Sequence, residues 1–487
     1  MLTLFALLLP HLLSSSLAVV VRPYRRAVGW IGVALAAVSF AAAGRLCVHI
    51  VAYGSFGDAR WTSGLWRVDA LSALVALAIA FVALLAAAVA PGLHAGDRDD
   101  AAYIRRLRIY MGAFAFTMLI AVTVQNVALM WVAIEATTIT SALAIPLNRS
   151  KASVEASWKY LLVCSVGIAL AFTGTILAYF DFVSTAGHVD ESLNWLVLRD
   201  AAASLHPQLL QLAFAFILVG YGTKAGLAPM HTWLPDAHSE APSPISAMMS
   251  GVLLAVALYA IARWKAVVDA ALNPAFTNTL LIAFGLVSVA IGTFSLVVQH
   301  HYKRMLGYSS VEHMGLVAIG LALGPLGTFA AWLHVINHAL AKSACFLLAG
   351  RILHRYDTTE IGGVTGLMRV MPWTGALFAA GILALVGLPP FGLFVSEFLL
   401  IQAAIEGRKT WLAAIVLTLL LTAFVSLLSH VNRMLYGDAP EGVRSGERGS
   451  WPTVALAVPV LLLVLLGLLL PPPLSSLIQR SVEALVP

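Results

Sequence analysis

Two glycine- and proline-rich stretches interrupt apolar runs of the sequence: GYGTKAGLAP at Gly220–Pro229 and GLPPFG at Gly387–Gly392. Proline removes a backbone N–H donor and clashes with the preceding helical turn, so each stretch predicts a broken helix. Broken helices are tolerated inside membranes where the backbone is buried in protein or lines a wet cavity. A pair of such breaks in corresponding positions indicates a transporter built from two repeats.

The composition predicts a membrane protein around these breaks. Of the 487 residues, 60% are hydrophobic and 11% are charged, and the mean hydropathy is +0.91. A typical soluble chain has about 25% charged residues, so this chain has too few charges to cover a water-facing surface. We therefore expect an all-α polytopic membrane protein with about fourteen transmembrane helices of about 20 apolar residues each.

The two breaks fall in predicted helices 7 and 12, which are five helices apart. Because five is odd, two copies of a five-helix unit would have opposite orientations in the membrane. The sequence thus predicts two inverted repeats with further helices on either side. The predicted parts are residues 1–95 for helices 1–3, 104–267 for helices 4–8, 275–436 for helices 9–13, and 450–487 for helix 14 with the tail.

The basic residues predict the orientation. Lys and Arg concentrate in cytoplasmic loops, and their distribution favours an even number of spans with both termini on the outer side. The apolar start has no basic residues before it and is followed by Arg22, Arg25 and Arg26. This predicts a retained first helix, with a cleaved signal peptide as the alternative. The net charge of +6 is attributed to such loops and not to nucleic-acid binding.

Four charged residues lie inside predicted helices, where each costs roughly 2.5–3.5 kcal/mol. They are Glu135, Lys224, Lys342 and Glu397. One interpretation of Glu135 and Lys224 is a static ion pair that holds two helices together. The other is a proton-loading site, because a nearby carboxylate raises the proton affinity of a buried lysine and its withdrawal releases the proton. Glu397 is either a satisfied buried carboxyl group or an acid of the same pathway.

Helix 11 carries His334, His338 and Lys342 at positions i, i+4 and i+8, which lie on one helix face. An imidazole accepts a proton on one nitrogen and donates from the other near neutral pH, so this row favours a water-bridged proton relay over three separate core residues. No carboxylate or cysteine stands beside these residues at ligand spacing, and no metal site is expected.

Other polar groups each have two interpretations. One group forms either a hydrogen-bond network at a helix end or the entrance of a proton path, and its members are His231, Asp236, His238 and Glu240. A solvated loop is the simpler interpretation for the group that flanks helix 10, namely His300, His301, Lys303, Arg304, Glu312 and His313. Glu155 and Lys159 are spaced i, i+4, which favours a surface ion pair.

The cysteines exclude one class of chemistry. Cys47, Cys164 and Cys345 stand singly in apolar runs, whereas zinc and iron–sulfur sites need closely spaced ligands. We therefore expect no cofactor bound by this chain.

Several long motifs resemble, in order, those of the antiporter-like membrane subunits of respiratory complex I. They are HTWLPDAHSEAPSP (His231–Pro244), KRMLGYSS (Lys303–Ser310), NHALAKS (Asn337–Ser343), and GLPPFG followed by SEF (Ser396–Phe398). Within this superfamily, SVEHM (Ser310–Met314) and SGVLLAVALY (Ser250–Tyr259) look most like the hydrogenase-4 component F type of membrane protein, found in group 4 nickel–iron hydrogenases. The M-type membrane component of NADH–quinone oxidoreductase and the large components of multisubunit cation/proton antiporters are close cousins.

The resemblance implies a proton path along a central polar axis. By position it assigns to this path Glu135, Lys224, His334, His338, Lys342 and Glu397, with Lys159 as a further candidate. The setting of His231, His238 and Glu312 in the sequence makes these residues further candidates. One departure concerns helix 8. Many relatives place a lysine or histidine where this chain has Ala255, so the link between the two half-channels would need water or a histidine from elsewhere.

The expected function is that of a proton-translocating subunit in a multisubunit redox complex, of the group 4 hydrogenase or complex I type, in a bacterial cytoplasmic membrane. Such a subunit is non-catalytic, so a nickel–iron centre, iron–sulfur clusters or quinone are expected in peripheral and membrane partner subunits. A subunit of a sodium/proton antiporter is the alternative. A third possibility is a scaffold that transports nothing, or a module that serves inorganic-carbon uptake.

Overall fold

The computed structural model describes residues 2–56, 64–93, 100–187, 193–447 and 449–486. The described residues form helices and contain no β-strand, only four isolated β-bridges. The all-α prediction is therefore confirmed. The first and last residues and the predicted boundary at residue 95 lie outside these ranges.

Long helices occur at every predicted position, and we number them accordingly. They are α1 (Leu2–Val20), α2 (Arg26–Tyr53), α3 (Ala70–Val89), α4 (Ala101–Thr123), α5 (Val127–Ala144), α6 (Lys151–Ala186), α7a (Pro207–Ala225), α7b (Leu234–Glu240), α8 (Ser243–Ala271), α9 (Ala275–Val297), α10 (Tyr302–Leu321), α11 (Gly324–Tyr356), α12a (Pro372–Leu385), α12b (Gly392–Glu406), α13 (Thr410–Leu435), α14 (Ser450–Leu468) and α15 (Pro472–Leu485).

Eleven spans in the described residues are long and apolar enough to cross a membrane. α10 and α11 are not among them, and α12 is divided into two shorter helices. The predicted total of fourteen spans stays a prediction. After helix 14 the sequence predicts only a tail, but the structure has an additional helix there, α15. The Arg480 side chain of α15 donates a hydrogen bond to the Ile50 carbonyl of α2 over 3.1 Å.

The helices differ in what surrounds them. α8 is buried along its apolar length, whereas α13 and α14 expose most of theirs. Trp158 and Leu162 on α6, and Leu421 on α13, are large apolar side chains that are more than half exposed. A soluble protein rarely exposes apolar area of this kind, so these faces are the ones in contact with lipid.

Both predicted breaks are present, and polar side chains of neighbouring helices satisfy backbone groups at each. At the first break, the Ala228 N–H donates to the Ser288 hydroxyl of α9 over 2.9 Å. At the second break, the Asn337 amide of α11 donates to the Gly392 carbonyl over 2.9 Å. Unpaired backbone groups are costly inside a membrane, so these contacts let the chain interrupt its helices there.

Two helices of the second predicted repeat cross at backbone contact. A Cβ atom added to Gly285 of α9 would lie 2.7 Å from the Gly315 carbonyl oxygen of α10, and one added to Gly315 would lie 2.6 Å from the Gly285 carbonyl oxygen. No side chain fits at either position, since real Cβ contacts are longer. α9 and α10 are therefore packed as one rigid pair.

We expect Gly226→Ala to destabilise the first break. Gly226 has φ +76°, and a Cβ atom there would lie 2.3 Å from the Leu234 side chain. The left-handed backbone alone costs a non-glycine residue roughly 1–2 kcal/mol, and the clash adds to that cost. Thermal unfolding of the detergent-solubilised protein should show a lower midpoint. Gly44→Ala in α2 is the control, because a Cβ atom at Gly44 meets nothing within 4 Å. Equal midpoints for both variants would contradict this account.

Candidate proton relay

Lys224 lies fully buried in the last turn of α7a, next to the first break. Its ammonium group donates to the Thr138 hydroxyl over 2.8 Å and to the Tyr160 hydroxyl over 2.5 Å. Tyr160 also shares a 2.7 Å hydrogen bond with the Ser141 hydroxyl. The break ends α7a and exposes its last backbone carbonyl groups. A cation is favoured at the C-terminal end of a helix, so the end of α7a stabilises the buried charge of Lys224.

Glu135 lies on α5, one helical turn before Thr138. Its carboxylate accepts hydrogen bonds from the Thr138 hydroxyl over 3.1 Å and from the Ser165 hydroxyl over 2.9 Å. No ion pair joins Glu135 to Lys224 among the described residues, so the direct contact that the sequence suggested is absent. The Thr138 hydroxyl stands between the two groups because the i, i+3 spacing puts it on the same helix face as Glu135.

We expect Thr138→Val to slow proton transfer between Lys224 and Glu135. Valine keeps the shape but removes the hydroxyl that accepts from one group and donates to the other. Leaving a buried partner unsatisfied costs about 1–3 kcal/mol, so proton transport in vesicles should fall about tenfold or more. Thr140→Val on the same helix is the control, since the Thr140 hydroxyl bonds only to backbone carbonyls. Equal rates in the two variants would refute the bridge.

A second cluster of titratable residues lies on α10 and α11. As the sequence predicts, His334, His338 and Lys342 share one face of α11. All three are buried, and the Lys342 ammonium donates to the Leu306 carbonyl over 2.9 Å. The face turns toward α10, where His313 approaches His334 with 3.0 Å between Nδ1 and Nε2. The ring centroids of His313 and His338 are 5.2 Å apart. These imidazoles form a continuous group across two helices.

His313 is the residue that the sequence interpretation missed. It was grouped with a solvated loop, yet Glu312, His313 and Lys303 are all buried. Lys303 donates to the Ser239 and Ala241 carbonyls at 2.5 and 2.8 Å. The solvated-loop interpretation is wrong for these three residues. The long apolar run that begins at Val311 and continues through α10 was the available signal.

Glu397 lies at the second break, on the first turns of α12b. A Cβ atom at Gly387 would lie 2.0 Å from its Oε2 atom, so only glycine leaves room for the carboxylate. Its Oε1 atom is buried and has no hydrogen-bond partner among the described residues. The charges of Glu397 and Glu312 are close enough to interact, and those of Glu312 and Lys342 are as well. The α12 break therefore brings an acid to the histidine cluster.

His238 on α7b lies between the two clusters. Its ring is 6.0 Å from the Trp233 ring and 5.5 Å from the Phe346 ring, and the whole side chain is buried. The Trp233 ring is in turn 4.7 Å from the Tyr160 ring, which contacts Lys224. On the other side, His238 is close enough to Lys342 for their charges to interact.

α8 supplies no titratable group at the centre. Ala255 is buried and follows a π-helical turn at Met249–Leu253, a distortion that is frequent at functional sites. The hydroxyl groups of Ser250 in this turn and Ser310 on α10 are 2.8 Å apart. His238 is a candidate for the histidine from elsewhere, and whether His238 or water links the two half-channels stays a prediction.

Lys159 and His231 lie nearer the surface. Lys159 pairs with Asp236 over 2.7 Å, and Arg304 pairs with the same carboxylate over 3.0 Å. Lys159 therefore joins α6 to α7b, and the suggested pair with Glu155 does not form. The His231 ring lies 6.3 Å from the Tyr308 ring. The role of every one of these residues in proton transfer stays a prediction.

Comparisons with known proteins agree with this architecture. The family described as "NADH:quinone oxidoreductase/Mrp antiporter, TM" matches residues 124–422. A hydrogenase-4 component F homolog of Methylacidiphilum infernorum (isolate V4) is 42% identical over 337 residues, which cover 69% of this chain and 70% of that protein. NADH-quinone oxidoreductase subunit N of Desulforudis audaxviator (strain MP104C) is 31% identical over 355 residues, covering 69% of this chain and 68% of that protein.

Solved structures share the whole fold. A chain of the membrane-bound sulfane sulfur reductase, an archaeal respiratory membrane complex, has a TM-score of 0.88 at 25% identity and covers 100% of this chain and 98% of its own. A chain of the Mrp complex from Dietzia sp. DQ12-45-1b has a TM-score of 0.84 at 21% identity, with coverage of 100% and 99%.

The fold and the buried polar axis define an antiporter-like membrane subunit. This chain belongs to the NADH:quinone oxidoreductase/Mrp antiporter transmembrane family, and its relatives include hydrogenase-4 components and complex I subunits. The predicted resemblance is confirmed.

Proposed function

We propose that this protein moves protons through the membrane as a subunit of a multisubunit redox complex of the hydrogenase or complex I type. The observation that carries the proposal is the buried hydroxyl bridge, in which Thr138 joins Lys224 to Glu135. A hydroxyl that accepts from one titratable group and donates to another can pass a proton between them. Static helix pairing needs no such intermediate.

The path would run from the Glu135–Lys224 site to the histidine cluster. The Trp233 indole lies between Tyr160 and His238 and has no acceptor atom, so water would link Lys224 to His238. Beyond His238, the row of His338, His334 and His313 leads toward Glu397 at the second break. Moving one charge against 100 mV costs about 2.3 kcal/mol, which electrostatic changes at a buried lysine can supply.

The two halves of this path support the predicted inverted repeats. Each proposed unit, residues 104–267 and 275–436, has a glutamate on its second helix, the half-buried Glu135 on α5 and the buried Glu312 on α10. Each also has a broken fourth helix, α7 or α12. We propose that both termini face the outer side of a bacterial cytoplasmic membrane, which the basic-residue distribution supports.

Redox chemistry would take place in partner subunits. The three cysteines lie in three different helices, α2, α6 and α11, and none belongs to a group of potential metal ligands among the described residues. A nickel–iron centre, iron–sulfur clusters or quinone would then belong to the neighbours. The names of the relatives, a hydrogenase component and a quinone oxidoreductase subunit, support this assignment.

The test is purification of the intact complex from its own membrane, followed by mass spectrometry and reconstitution into vesicles with a pH-sensitive dye inside. We expect redox subunits to co-purify and the internal pH to change only while electrons flow. If only small membrane subunits co-purify and a sodium gradient alone drives proton movement, the sodium/proton antiporter function replaces this proposal.

A further inference from the structure

Three potential metal ligands from three helices meet inside the second cluster. They are His313 on α10, His334 on α11 and Glu397 on α12b, and their ligand atoms all lie within 4.8 Å of one another. All three residues are buried. The sequence has no carboxylate at ligand spacing from His334, but the fold brings Glu397 of α12b close to it.

The spacing of the two imidazoles suits a tetrahedral ion. His313 Nδ1 and His334 Nε2 are 3.0 Å apart, whereas two nitrogens bound to one zinc ion at about 2.0–2.1 Å stand roughly 3.3 Å apart. A shift of a few tenths of an ångström would therefore turn a hydrogen bond into shared coordination. The second nitrogen of His334, Nδ1, lies 3.0 Å from the Ser396 hydroxyl, the kind of outer contact that orients a metal-binding histidine.

Several residues of this cluster and its surroundings carry unpaired polar atoms. Glu397 Oε1, His313 Nε2, His338 Nε2 and Asn337 Oδ1 are all buried and have no hydrogen-bond partner in the described part of the chain. Buried polar atoms are nearly always paired, and Glu397 Oε1 belongs to a residue of the proposed ligand set, so this carboxylate is available to a bound ion. Three of the four belong to histidine or a carboxylate, the ligand types that zinc prefers together.

Two carboxyl groups lie in this part of the protein, since Glu312 and Glu397 are close enough for their charges to interact. A nearby cation favours the ionised form of a carboxyl group, so a bound divalent ion would stabilise Glu397 as a carboxylate ligand. We propose that His313, His334 and Glu397 bind one zinc ion or a similar divalent transition metal, with a fourth position left open.

This site has a functional consequence that rests on the proposed function. An imidazole nitrogen that binds a metal cannot accept a proton, so the ion and the relay would compete for His313 and His334. Zinc would then act as an inhibitor of proton transport, not as a resident cofactor.

The binding test uses the purified full chain in lipid nanodiscs, with any affinity tag removed and metals stripped. Co²⁺ is the probe, because a tetrahedral site gives it strong visible absorption, and Zn²⁺ should displace it. We expect one Co²⁺ per chain. His313→Ala and Glu397→Gln should each weaken binding at least about tenfold, since even outer contacts contribute 10–100-fold to metal affinity. His430→Ala is the control, because His430 on α13 bonds to the Leu296 carbonyl outside the cluster.

Absence of tetrahedral Co²⁺ absorption, or equal affinity in all four proteins, would overturn the site. Thermal unfolding of each variant without metal shows whether weaker Co²⁺ binding results from the missing ligand or from a destabilised fold. Inhibition of proton transport by Zn²⁺ is measured separately in vesicles. Co²⁺ binding by the chain, together with no proton transport by the intact complex during electron flow, would retain the metal site and refute the proposed function.

Discussion

Lys224→Ala is expected to abolish proton transport in reconstituted vesicles while the complex still assembles. The ammonium group is the donor to both Thr138 and Tyr160, and alanine removes the titratable group at the end of α7a. A positioned proton-transfer group contributes about 10²–10⁴-fold, so the rate should fall about a hundredfold or more.

The control for this prediction is Lys151→Ala, which removes an exposed lysine at the start of α6. Co-purification of partner subunits and an unchanged size-exclusion profile would show that assembly survives. Normal transport by Lys224→Ala would show that the buried lysine only holds helices together.

His238→Ala is expected to disconnect the two clusters. His238 lies beside the Trp233 ring, which contacts Tyr160, and it is close enough to Lys342 for their charges to interact. Water in the vacated space would keep part of the path open, so we expect a loss of about tenfold to a hundredfold, at the lower end of the range for proton-transfer groups.

Ala255→His in the His238→Ala background provides the matched test. Ala255 stands where many relatives have a lysine or histidine, and it is buried in α8. If the link needs a titratable group at the centre, the second substitution should restore part of the transport. Wild-type transport by His238→Ala alone would instead show that water or another route connects the clusters.

Much of the fold and of the candidate site could be predicted from the chemistry of single residues and their spacing along the chain. Pro229, Pro389 and Pro390 could not continue a membrane helix, so both breaks could be predicted. Likewise, the charge of Lys224 or Glu397 in an apolar run demands a buried partner or a wet path wherever the chain folds. The row from His334 to Lys342 needed only the helical period.

The remaining features depend on contacts between distant segments. Thr138 bridges Glu135 and Lys224 only because α5, α6 and α7a converge, and no spacing along the chain encodes that approach. His313 looked like part of a loop because charged residues precede it, and its burial follows from the packing of α10 against α9 and α11. The return of Glu397 to the histidines depends on the angle at the α12 break, which the proline pair permits but does not specify.

The crossing of α9 and α10 at Gly285 and Gly315 has a consequence for energy coupling. Helices in backbone contact cannot slide past each other without opening the crossing, so the element that carries Glu312 and His313 can move only together with α9. Any displacement that reached these two side chains from a neighbouring subunit would therefore have to move both helices as one body.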